Sequence, residues 1–181
     1  MTKIIREDHN LLHKVCEPVS VRQGNKIAKI LIDKIKANKP ICVGLASNQI
    51  GYDRSVAVVD TDDSKTPIIL INPKIVEKSN PLKPFKEGCM SFPDVEKSIV
   101  RYGYIKVETD LGLMEFGCKD RPDKKKYFTA IAVQHEIDHL NGLTIHDRAL
   151  KPRTVNKIGR NDNCLCGSLK KAKKCCRVYD F

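Results

Sequence analysis

The 181-residue chain predicts an α+β fold, on three observations. Apolar residues recur at helical spacing near the start and again late in the chain. Between these segments lie short runs of strand character, broken by Pro, Asp and Gly. Hydrophobic residues make up 41% of the chain, enough for a core and too many for wholesale disorder.

In NKIAKILIDKIKAN, 25–38, Ile27, Ile30, Leu31 and Ile35 share one helix face, and Lys and Asp fill the other. That is the pattern of an amphipathic helix. Lys39-Pro40 ends it, because proline disfavours helical backbone in the residue before it. SVAVVD, 55–60, and PIILINP, 67–73, read as strands. YIKVET, 104–109, alternates, and LMEF, 113–116, is placed to pair with it across a short Gly-containing turn. KYFTAIAVQHEIDHL, 126–140, predicts a helix stopped by Asn141-Gly142. No internal repeat is evident. The expected division is a body at 1–150, a linker at 151–158 and a second small unit at 159–181.

No stretch approaches 18 consecutive apolar residues, so no membrane span is predicted. The start, MTKIIREDHNLLHKV, lacks the pattern of a secretory signal, and a cytoplasmic protein is expected. In that compartment the eight cysteines point to metal binding rather than disulfides. The net charge of +11 is uneven. Residues 151–181 hold nine Lys/Arg and two Asp, a net of +7, against +4 for residues 1–150. Such a tail suits RNA or an acidic protein surface, or simply keeps the chain in solution.

AVQHEIDHLNG, 132–142, carries the chemistry. On a helix His135 and His139 lie one turn apart on one face, where two imidazoles can grip one metal ion and Glu136 can face its water. A catalytic centre of this type takes three protein ligands and keeps one position open. Two candidates compete for the third. The long zinc-peptidase pattern would place histidine at 145, but Ile145 stands there and His146 is one place late. Upstream, EGCMSFP, 87–93, offers Cys89 in a loop or at a strand end, with Gly88 freeing the backbone beside it.

A third stretch, CVGLASNQ, 42–49, joins the other two. In order and spacing, C-V-G-L-A-S-N-Q, E-G-C-M-S and H-E-I-D-H resemble the three motifs of peptide deformylases, G-x-G-L-A-A-x-Q, E-G-C-L-S and H-E-x-D-H. The resemblance spans roughly residues 5–150. Cys42 departs from the first glycine, Ser47 from an alanine and Met90 from a leucine. The resemblance implies mixed or antiparallel sheets around a central HExxH helix. It also implies removal of the N-formyl group from the N-terminal methionine of newly made polypeptides. Cys89, His135 and His139 would hold one divalent metal, Fe2+ in the cell, with Zn2+, Ni2+ or Co2+ as alternative occupants. Glu136 would carry the proton from water to the leaving amine. Gln49 and the backbone N–H of Met90 would stabilise the oxyanion, each such donor being worth roughly 3–4 kcal/mol. Val43, Gly44, Phe85, Phe128, Ile131 and Ala132 would line the substrate pocket, Gly44 by letting the peptide backbone approach. Asp138 would not reach the metal. Arg101 would pair with Glu87, either bracing the Cys89 loop or as a plain surface pair.

The tail segment CLCGSLKKAKKCC places Cys164, Cys166, Cys175 and Cys176 within one short stretch, a donor set for a closed tetrahedral zinc site. GRNDNCLCGSLKKAKKCC resembles the SEC-C motif, which implies a small module folded on one structural Zn2+. Its basic character suggests a tether to the ribosome or to an acidic protein surface. Two other functions use the same residues: a metallopeptidase with a different third ligand, and a zinc-dependent binding protein without turnover.

Overall fold

A computed structural model describes residues 3–7, 9–62, 64–119 and 124–150, together with Asn161, Asn163, Lys170, Lys171 and Lys174; side chains at 124–126 are not described. The helices are α1 (Val21–Ala37), α2 (Lys124–Leu140) and the one-turn α3 (Ile145–Arg148). The strands are β1 (Gly44–Ala46), β2 (Val56–Val59), β3 (Ile68–Ile71), β4 (Lys74–Pro81), β5 (Phe85–Cys89), β6 (Phe92–Ile99), β7 (Tyr102–Thr109) and β8 (Gly112–Gly117). They form three sheets, ordered β1-β2-β3, β4-β7-β8 and β5-β6. Every pairing among these strands is antiparallel.

Strand β2 shows why the apolar run VAVV needs no polar alternation. Side chains on a strand point alternately to its two faces. Val56 and Val58 join Leu31 and Ile35 of α1, while Ala57 and Val59 join Val133 and Ile137 of α2. The first sheet is therefore buried on both sides. The second sheet covers α2 from the other direction through Ile105 and Val107. Helix α2 is thus enclosed between two sheets, and from Tyr127 to Leu140 every side chain except Phe128 is buried or half-buried.

Helix α1 starts at Val21 rather than at residue 25. Ser20 caps it, its hydroxyl accepting the Gln23 N–H. Gly24 in the first turn is a poor helix former and hides that start in the sequence. The hairpin expected from 104–116 is present, with Thr109 opposite Gly112. Helix α2 ends as expected at Asn141-Gly142. Gly142 has φ +69°, and a Cβ there would lie 2.8 Å from the backbone of His13, so only glycine fits. Strands β4, β5 and β6 leave little trace in the sequence. Their exposure alternates, but the buried and half-buried positions hold Glu77, Ser79, Glu87 and Lys97 while Val76 is exposed, and Pro81 and Pro93 sit within them, as edge strands tolerate.

Leu31 is fully buried between α1 and the first sheet. Leu31→Ala should cost about 2–5 kcal/mol, read as a lower midpoint in urea unfolding with an unchanged slope.

Candidate metal centre and substrate cleft

Helix α2 presents His135 and His139 one turn apart, with ring centroids 5.0 Å apart. The end of β5 brings in Cys89, whose Sγ lies 3.2 Å from His139 Nε2. One potential ligand atom from each of the three lies within 4.8 Å of the others, the one such cluster among the described residues. The register of the β5–β6 hairpin shifts between Glu87 and Cys89, and Cys89 pairs with Phe92. Cys89 is thus the last residue of a strand, with Met90 and Ser91 forming the turn. The downstream candidate goes elsewhere: the His146 ring packs edge-on against Phe92, 4.9 Å between centroids.

Buried charges orient the first histidine. His135 Nδ1 meets Glu87 Oε2 at 3.0 Å, which leaves Nε2 for the cluster. Arg101 grips Glu87 with a fork of two hydrogen bonds, 2.8 and 2.9 Å, and donates a third to Asp138. Arg101 is 4% exposed and Glu87 7%, so this is no surface pair. Asp138 is equally buried and turned away from the cluster into the same network. Arg148, which nothing in the sequence singles out, forks Asp138 at 3.0 and 2.5 Å.

The electrostatics suit a cation. Burial raises a carboxylate, but the bonds from His135 and Arg101 bring Glu87 down to about 2. Burial lowers an imidazole, but hydrogen bonds to Cys89 and Glu87 push His135 up to about 10. Positive charge is therefore favoured at this ring. Burial and repulsion from His135 and Arg101 hold His139 well below the ordinary histidine range, so it stays neutral.

Gln49 stands in a 3-10 turn, Ser47–Ile50, directly after β1. Its Oε1 accepts the Ala46 N–H at 2.8 Å. The amide nitrogen therefore faces the centre, donating to Ser91 Oγ at 3.1 Å and to Cys89 Sγ at 3.7 Å. Ser91, fully buried, is a second residue that sequence reasoning missed, although it closes the EGCMS motif. Glu136 is 4% exposed. Burial pushes its carboxyl up to about 7 against the opposing pull of His135 and Arg101. Its Oε2 has no hydrogen-bond partner among the described residues.

A cleft of about 620 Å³ opens on the cluster, and Val43, Gly44, Phe85, Phe128, Ile131 and Ala132 all line it. Phe128 is 48% exposed, which rules out a plain core role. Arg6 and Ile41 also border the cleft and carry no motif that would have marked them. Gly44 and Gly88 differ in their surroundings. A Cβ at Gly44 would lie 2.5 Å from Glu136 Oε1, so the missing side chain makes room for that carboxylate. At Gly88 no neighbour lies within 4 Å of a Cβ and φ is not positive, so the local backbone does not demand glycine. Cys42 is accommodated without strain: its thiol is buried, donates to the Gly44 carbonyl at 3.3 Å and is pushed up to about 12 by burial. The Ser47 hydroxyl donates to the Arg54 carbonyl.

The Polypeptide deformylase family model matches residues 1–155. The chain belongs to that family. It is a metal-dependent hydrolase that removes the N-formyl group from newly made polypeptides. A peptide deformylase of Prochlorococcus marinus strain AS9601 is 34% identical over 161 residues, 85% of this chain and 73% of that protein. Peptide deformylase 1 of Bacillus cereus strain ATCC 14579 is 35% identical over 162 residues, 86% of this chain and 97% of that protein. The crystal structure of the Thermotoga maritima peptide deformylase aligns with TM-score 0.68 at 31% identity, over 83% of this chain and 99% of that one. In the present chain a SEC-C motif follows at residues 160–177. Its four cysteines, Cys164, Cys166, Cys175 and Cys176, and the expected linker lie outside the described residues. No helix among the described residues is long and apolar enough to cross a membrane.

Gly44→Ala should displace the Glu136 carboxylate without touching Cys89, His135 or His139. The expected result is a loss of kcat on the order of 100-fold with metal content unchanged, measured by formate release and elemental analysis.

Proposed function

We propose that deformylation takes place at the Cys89–His135–His139 cluster, with Glu136 as proton carrier. The observation that carries this is one thiol and two imidazoles converging beside a buried carboxylate with an unpartnered oxygen. A soft thiolate with two imidazoles suits Fe2+ and Zn2+ alike, and the orphaned Glu136 oxygen fits a group that supplies water. We assign Fe2+ in the cell, with Zn2+, Ni2+ or Co2+ as substitutes. A divalent ion held there supplies Lewis-acid character and lowers the pKa of water from about 15.7 to about 7.

The chain's own groups do the rest. The methionine side chain enters the apolar slot of Val43, Phe85, Phe128, Ile131 and Ala132, which places the formyl carbon over the cluster. Glu136 takes the proton of the attacking water and returns it to the amine as the C–N bond breaks. The negative oxygen that forms on the formyl carbon is met by the amide of Gln49 and the N–H of Met90. Gln49 is pre-set for this, since Ala46 and Ser91 fix its two ends. The small space around the formyl group favours it over an acetyl group, one methyl larger.

The tail reading has a separate basis. Cys164, Cys166, Cys175 and Cys176 hold one structural Zn2+, and the +7 charge of residues 151–181 serves as a cytoplasmic tether to the ribosome. Truncation after residue 152 should reduce ribosome co-sedimentation at low salt. Unchanged co-sedimentation at both low and high salt would remove the tether from consideration.

The catalytic reading is tested anaerobically with Fe2+ and formyl-Met-Ala-Ser, measuring formate. Glu136→Gln should lower turnover by about 100- to 10,000-fold and keep the metal, since the ligands are intact. Cys89→Ala should lose the metal. Retention by that variant would favour a peptidase-type ligand set, and no formate from the wild type would favour a binding protein.

A further inference from the structure

Arg148 lies in α3, outside the helix and hairpin that supply the cluster. Local chemistry sets its place. Thr144 caps α3, its hydroxyl accepting the His146 N–H at 3.2 Å, and Asp147 accepts the Thr144 N–H at 2.8 Å. Ile145 is buried beneath the turn. Just beyond, the Leu150 N–H donates to the Ser98 carbonyl at 3.0 Å. With both sides pinned, the Arg148 guanidinium reaches back to Asp138 on α2 and donates from Nε at 3.0 Å and from Nη2 at 2.5 Å.

Five groups follow in line: Arg148, Asp138, Arg101, Glu87 and His135. Each touches the next through a hydrogen bond. The side chains of Asp138, Arg101 and Glu87 are 8%, 5% and 6% exposed. Two buried carboxylates face two guanidiniums, and each carboxylate has one full fork. The charges balance only if Arg148 is counted. Without it, Asp138 and Glu87 would share Arg101 alone. A buried carboxylate that loses its partner is strongly destabilising, and Arg101 would be drawn towards Asp138 at the expense of its fork on Glu87. Glu87 is the group that holds His135 Nδ1.

We propose that Arg148 is a positioning residue for His135. By satisfying Asp138, it frees Arg101 to hold Glu87, and Glu87 sets the ring that faces the ion. This rests on the reading that Cys89, His135 and His139 bind the ion. Partners that orient a metal-bound histidine typically affect affinity by about 10–100-fold. Arg148 acts at a remove and its side chain is 47% exposed, so the lower end of that range is expected.

The test uses the full chain loaded with Co2+, whose absorption spectrum reports ligand geometry, and follows release of Co2+ to a chelator. Arg148→Ala should release the ion about 10-fold faster, shift the spectrum and lower kcat for formyl-Met-Ala-Ser while leaving KM unchanged. Arg148→Lys, which keeps the charge but not the fork, should recover part of the loss. The deciding variant is Asp138→Asn placed in the Arg148→Ala background. It removes the unpaired charge, so it should slow release relative to Arg148→Ala. If Arg148→Ala fails to fold, Arg148→Gln takes its place in the same comparison. Wild-type release and spectrum in the single variant would overturn the proposal, as would a double variant no better than the single one. Cys89→Ala separates the two readings. If it keeps Co2+, the ligand assignment fails. If it loses Co2+ while Arg148→Ala behaves as wild type, only the role of Arg148 fails.

Discussion

The contact between the Cys89 thiol and the His139 ring, 3.2 Å, joins two elements fifty positions apart in sequence. Everything at the centre depends on it. The β5–β6 hairpin is anchored in part by burial, since Phe92 and Ile99 pack with Leu12 and Ile145 in a small core cluster. It is also held over α2 by polar contacts: the Arg101 fork on Glu87, the Glu87 bond to His135 and the Gln49 bond to Ser91. The N-terminal segment adds backbone bonds, from the Ile5 N–H to the Gln49 carbonyl and from the Glu7 N–H to the Ser91 carbonyl. Placement of the Cys89 thiol thus combines burial of the hairpin's apolar residues with hydrogen bonds, on a scaffold whose rigidity comes from packing.

That scaffold is helix α2 between two sheets. A helix enclosed in this way cannot rotate or slide without breaking a close-packed interior. His135, Glu136 and His139 inherit that precision. Their backbone is fixed by Ala130, Val133, Ile137 and Leu140, which belong to one buried cluster with Ala57, Val59 and Val107. Loops would place the same three side chains less exactly. The cost is the enclosure of charged groups, and the network from His135 to Arg148 compensates by pairing Glu87 and Asp138 each with a guanidinium fork.

Glu136 illustrates how packing tunes chemistry. Its carboxyl is pushed up to about 7 by burial, the range in which a group can both accept and release a proton near neutrality. The space it occupies exists because residue 44 lacks a side chain. One glycine on β1 and one acid on α2 are therefore a single design element, contributed by strand and helix segments far apart in the chain.

Much of the centre was legible in the sequence because the chemistry demands particular residue types at fixed intervals. Two histidines that share a metal from one helix must stand one turn apart, and the acid between them must be Glu or Asp. The helices and the hairpin at 104–116 were legible because burial imposes a period on the apolar residues. Strands β4 to β6 were not, because charged and polar residues such as Glu77, Glu87 and Lys97 take their inward positions and mask the period. The pairing of Arg148 with Asp138, the role of Ser91 and the reason for Gly44 were settled only by the fold. Each depends on which side chains meet across the molecule, and that is decided by the packing of α2 between its sheets rather than by any local pattern.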